Sequence, residues 1–176
     1  MRQRVTMMVA GGVLLGLMSG ATATAAGETD WRRLIVCDGP DAEEERRALV
    51  EALRLLPRLP ARVAVIDARE ARPEVQTTLL RLDSFITKGS PVVYVVKQSA
   101  LLRGAAAGSA IHIHALAAAL WHEMAHVDGA DEREARRQEQ SLWARFTRDQ
   151  RVDAVAALRY LKALDSRPDH QLLALR

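Results

Sequence analysis

The sequence predicts an α+β fold: a small sheet of about three strands with several packed helices, one of which carries an H-E-x-x-H motif. Three observations point there. The strand-like runs, rich in β-branched residues, all lie before Gln98. From Ile111 onward the pattern is that of successive helices. The 176 residues, 49% hydrophobic and 27% charged, suit a single hydrophobic core.

Taken in order, Met1 to Ala26 opens on Arg2 and Arg4, runs uncharged from Val5 to Met18 and ends in small residues from Ala21 to Ala26. That is the layout of a secretory signal, with Ala-x-Ala cleavage patterns ending at Ala23 and Ala25. The expected organisation is a signal over residues 1–26 and one domain over 27–176, secreted or periplasmic, with no stable membrane insertion after cleavage. A membrane anchor through the same segment is the alternative, since about 20 uncharged residues can span a bilayer. Gly11, Gly12 and Gly16 dilute its hydrophobicity.

Leu34 to Cys37, stopped by Asp38-Gly39-Pro40, reads as a first strand and turn. Asp41 caps a helix from Ala42 to Leu56, with Leu49, Val50, Leu53 and Leu56 at helical spacing and Pro57 and Pro60 ending it. Arg62 to Asp67 is a second strand. Pro73 begins a helix whose inner face holds Val75, Leu79, Leu80, Leu82 and Ile86, with Lys88-Gly89 as its stop. Pro91 to Lys97 is the strongest strand. Ser99 to Ser109, with Gly104, Gly108 and four alanines, reads as a loop or short helical piece. Ile111 to Val127 is apolar all round, a helix surrounded by protein, and Gly129 terminates it. Asp131 caps an amphipathic helix from Glu132 to about Phe146, and a last helix runs near Val152 to Leu164. There is no internal repeat.

Charge excludes one class of partner. With Arg2 and Arg4 set aside, 23 basic residues face 22 acidic ones, a balance that predicts no nucleic-acid binding. The lone Cys37 has no partner within the chain.

The chemistry sits in His122-Glu123-Met124-Ala125-His126. Residues four apart on a helix share a face, so both imidazoles can address one divalent ion while Glu123 stands beside them as a base. A catalytic zinc site takes three protein ligands and leaves one position open. Gly129 permits a sharp reversal that brings the next helix back, which makes Glu132 the first candidate for the third ligand. Glu139, two turns further on, is the runner-up, and Glu134 is a weaker one. Asp128 is a candidate hydrogen-bond acceptor for a ligand histidine. His112 and His114 are expected at the helix start or near the cleft, and Tyr94, Tyr160 and the arginines offer no spacing that selects an oxyanion donor.

At these residues the chain resembles the zincin metallopeptidases, and more closely their glutamate-ligand branch, the gluzincins. The resemblance covers His122 to about Glu139, with the strand Val92 to Val96 preceding the helix. It implies Zn2+ bound by His122, His126 and Glu132 or Glu139, Glu123 as general base on zinc-bound water, and a strand beside the helix that holds the substrate backbone. The H-E-x-x-H-x-x-G-x-x-H pattern of metzincins is also close, with Gly129 matching and Glu132 in place of the third histidine; no methionine turn follows. The expected function is therefore an exported zinc metallopeptidase acting on a peptide or protein substrate. The alternative is a noncatalytic metal-stabilised domain that binds a partner.

Overall fold

The computed structural model describes residues 29–165, so the expected signal and its cleavage sites lie outside the described residues. The α+β expectation holds, with four strands rather than about three and seven helices among the described residues. In chain order these are α1 (Trp31–Leu34), β1 (Ile35–Val36), α2 (Ala42–Leu53), β2 (Arg62–Ile66), α3 (Pro73–Leu79), β3 (Ser84–Ile86), β4 (Val92–Val96), α4 (Ala100–Ala106), α5 (Ala110–Val127), α6 (Glu132–Arg148) and α7 (Ala154–Asp165). No helix among the described residues is long and apolar enough to cross a membrane.

The strands lie in the order β1-β2-β4-β3. β1, β2 and β4 are parallel, and β3 runs antiparallel to β4 with Phe85 opposite Tyr94. Alternate residues face opposite sides of a strand. Val63, Val93, Val95 and Ile86 accordingly join the main core with α2, α4 and α5. Phe85 and Val96, with Ile66 and Tyr94, form a smaller cluster under α3 and the 3-10 turn Ala68–Glu70.

Three expectations need correction. The helix begun by Pro73 does not reach Ile86: it ends at Leu79, and Ser84 to Ile86 leave it as the edge strand β3. Lys88-Gly89 therefore lies in the β3–β4 connection, where Gly89 takes a positive φ of 80° and Ser90 donates its N–H to the Thr87 carbonyl at 3.0 Å. The first strand is shorter than expected, because Leu34 closes α1. Asp41 occupies the N-cap of α2 without a side-chain capping bond, its carboxylate lying 3.3 Å from Lys97 Nζ instead. The glycine–alanine stretch is the short helical piece, α4, capped by Ser99 Oγ and held by buried Leu101, Leu102 and Ala105.

Helix α5 is the axis of the molecule. Ile113, Leu116 and Leu120 are buried along it, and it packs against α2, α4, α6, β3 and β4. Its all-round apolar sequence follows from that position, and so does the burial of His122 and Glu123.

Candidate metal centre

Three side chains converge where α5 turns into α6. His126 Nε2 lies 3.1 Å from His122 Nε2 and 3.2 Å from Glu132 Oε2, and His122 Nε2 lies 3.6 Å from the same oxygen. Donors about 2.0–2.1 Å from one tetrahedral ion stand roughly 3.3–3.4 Å from each other. The triangle fits that spacing, so the group could hold a metal ion.

The reversal that closes the triangle is local. Gly129 adopts φ 91°, its N–H bonds to the His126 carbonyl at 3.0 Å, and the Ala130 N–H bonds to the Ala125 carbonyl at 2.9 Å. This is the two-bond helix end that a left-handed residue allows. Asp131 then starts α6, accepting the Glu134 N–H at 2.8 Å. The reversal also orients a ligand, because the Ala130 carbonyl lies 3.0 Å from His126 Nδ1. With the proton on Nδ1, the Nε2 lone pair is directed at the triangle.

Each remaining donor is supported from outside. Glu132 is held by Arg136, whose Nε donates to Oε1 at 2.8 Å, leaving Oε2 for the histidines. Burial opposes ionisation of Glu132, but the Arg136 bond and the nearby histidines bring its pKa below the usual value. His122 Nδ1 lies 3.1 Å from Glu139 Oε2, and Tyr160 donates its hydroxyl to Glu139 Oε1 at 2.7 Å. Burial disfavours the charged imidazole of His122, yet the carboxylates around it, Glu139 first and then Glu123 and Glu132, together outweigh it and raise the pKa.

Glu139 lies outside the triangle. It faces the outer nitrogen of His122, while Glu132 is the carboxylate grouped with the two histidines. Asp128 does not support a histidine either; it pairs with Arg58 at the surface, and the Ala130 carbonyl has the role instead. Glu134 caps Arg137 and Gln138 on the exposed side. His112 and His114 sit at the start of α5, bonded to Ser109 Oγ and the Ala110 carbonyl, apart from the cluster.

Glu123 is 2% exposed and accepts a hydrogen bond from Ser84 Oγ at 3.0 Å. Burial pushes its pKa up to about 7, against the pull of His122 and the serine. Ser84 belongs to β3, so the strand beside Glu123 is this edge strand and not β4, which is paired on both sides. Sequence reasoning missed Ser84, and nothing in the local pattern marks it.

Compared with family models, curated proteins and solved structures, the chain matches none. The site therefore rests on its own geometry. A cavity of about 940 Å3 opens beside Phe85, Tyr94, Asp67 and Lys97 and includes none of the cluster residues. Solvent reaches the cluster from the Glu132 side, where that side chain is 21% exposed.

Proposed function

We propose that this chain is an exported zinc-dependent hydrolase of peptide bonds, akin to the gluzincin branch of the zincins. The observation that carries the reading is the His122–His126–Glu132 triangle with a buried, near-neutral carboxyl, Glu123, on the same helix. Two imidazoles and a carboxylate are a usual donor set for catalytic zinc. A zinc ion held there supplies a Lewis acid that polarises a carbonyl and makes water more acidic.

The protein residues do the rest. His122 and His126 hold Nε2 toward the ion through their outer partners, Glu139 and the Ala130 carbonyl. Glu123, beside the two histidines on the same helix, would accept a proton from the attacking water and return it to the departing amine. Ser84 fixes one oxygen of that carboxyl.

A second reading, a noncatalytic metal-stabilised domain that binds a partner, draws on the burial of His122 and Glu123 and on the location of the 940 Å3 cavity away from both. One set of measurements separates them. The purified protein should hold about one zinc per chain, and His122→Ala or His126→Ala should lose most of it. Glu123→Gln should keep the metal and lose hydrolysis of unfolded peptide substrates by at least about a hundredfold. Zinc bound with no hydrolysis by the wild type favours the second reading; no zinc in the wild type overturns both.

A further inference from the structure

A side chain from the last helix reaches the metal centre through one intermediary. Glu139 is 2% exposed, and both its oxygens are engaged: Oε2 lies 3.1 Å from His122 Nδ1, and Oε1 accepts from Tyr160 at 2.7 Å. A buried carboxylate is costly unless its oxygens are paired. The Tyr160 ring is fixed in turn, stacked on Trp143 with centroids 4.0 Å apart and planes 26° from parallel. Trp143 is fully buried and donates its ring N–H to the Ala157 carbonyl, so the aromatic pair also docks α7 on α6.

We propose that Tyr160 is a positioning residue of the metal centre, and that the Tyr160–Glu139–His122 chain couples the docking of α7 to metal occupancy. The proposal rests on the metal-binding part of the function proposed above, not on hydrolysis. The hydroxyl fixes the Glu139 carboxyl group beside Nδ1, and Glu139 in turn fixes the imidazole with Nε2 toward the triangle. An ion on Nε2 fixes the imidazole ring, and with it the Nδ1 that lies 3.1 Å from Glu139, so an ordered metal centre and an ordered Glu139–Tyr160 contact favour each other by position. Linkage is reciprocal: what the hydroxyl adds to metal affinity, the metal returns to α7. Helix α7 is suited to such a response, because Val155 and Leu158 on its outer side are 59% and 60% exposed and contribute little to its docking.

Two experiments test this on the full chain. In the first, Zn2+ affinity is measured by competition with a chromophoric chelator for the wild type, Tyr160→Phe, Glu139→Gln and the double variant. Phenylalanine keeps the stack on Trp143 and removes only the hydroxyl. Tyr160→Phe should weaken binding about tenfold, Glu139→Gln by roughly ten- to a hundredfold, and the double variant no more than Glu139→Gln alone. Wild-type affinity in Tyr160→Phe, or additive losses in the double variant, would overturn the coupling while leaving the metal site standing. A wild type that binds no Zn2+ overturns both. The second experiment needs no variant and decides the matter should Tyr160→Phe fail to fold. Hydrogen exchange of the wild type with and without Zn2+ should show the amides of α7 protected by the ion and those of α3 unchanged; equal exchange in α7 refutes the coupling.

Discussion

Glu132 and Glu139 share a helix and nearly a face, and the height of the chain reversal gives them different tasks. Gly129 to Asp131 turn the chain within three residues, so the first turn of α6 stands level with His126 and the third with the far side of His122. Glu132 then meets the Nε2 atoms, and Glu139 meets Nδ1. Glu132→Ala should therefore cost far more zinc affinity than Glu139→Ala, measured by chelator competition; the reverse order would mean the ligand is misassigned. Cys37 shows the opposite fate of a reactive group. Its thiol is 4% exposed and donates to Glu45 Oε2 at 2.9 Å, and burial together with that acid pushes its pKa up to about 12. A thiolate is the reactive form. Cys37 should resist alkylation in the folded protein at pH 8 and react fully in denaturant, which mass spectrometry would read directly; rapid labelling of the native chain would contradict the burial.

Among the elements, the α5–α6 turn depends most on one backbone angle. Gly129 has φ 91° and open space where a Cβ would go, so Gly129→Ala tests conformation alone. It should destabilise the protein by about 1–2 kcal/mol. It should also weaken metal binding, because the Ala130 carbonyl that orients His126 moves with the turn; unchanged zinc affinity would show that the carbonyl is dispensable. This turn was legible in the sequence, since a glycine after an apolar helix and an aspartate before an amphipathic one are both strong local signals. So was α5, whose apolar residues surround it. The edge strand β3 was not: Leu79, Leu82 and Ile86 recur at helical spacing, and a three-residue strand is too short to set its own period against theirs. With β3 hidden, Ser84 was hidden too, because its bond to Glu123 spans 39 residues and is made by tertiary packing. Glu139 had the same difficulty. Its spacing matches that of a ligand, and the closeness of the reversal sets it beside the outer nitrogen of His122 instead of in the triangle.

At the scale of the whole molecule, two buried groups tie stability to pH in the same direction. Glu123 has a folded pKa of about 7 against an ordinary 4.5, so the native state holds a proton the unfolded chain has lost, and stability falls as pH rises through that window. His122 is raised above 6.5, so its contribution is complete below that value and is lost as pH climbs past the folded pKa. Glu132 limits the acid side: its pKa is depressed, and its contribution is lost as pH drops below 4.5. The metal-free protein should thus melt highest at about pH 4.5–5, above the range where Glu132 is lost and below the range where Glu123 loses its proton. Zinc requires neutral imidazoles, so with the ion present the maximum should move above about pH 7. Thermal melts followed by circular dichroism, with and without chelator, would show the two optima; coincident optima would count against these residues as the titrating groups. The placement of the triangle also bears on the order of folding. His122, His126 and Glu132 all lie in the single hairpin of α5 and α6, so bringing them together closes only a short loop, whereas the parallel pairing of β1 with β2 and of β2 with β4 joins distant stretches. Refolding with Zn2+ present from the start should protect the hairpin amides in pulse-labelled hydrogen exchange before those of the sheet. The ion then acts as a nucleus on which the rest of the chain assembles.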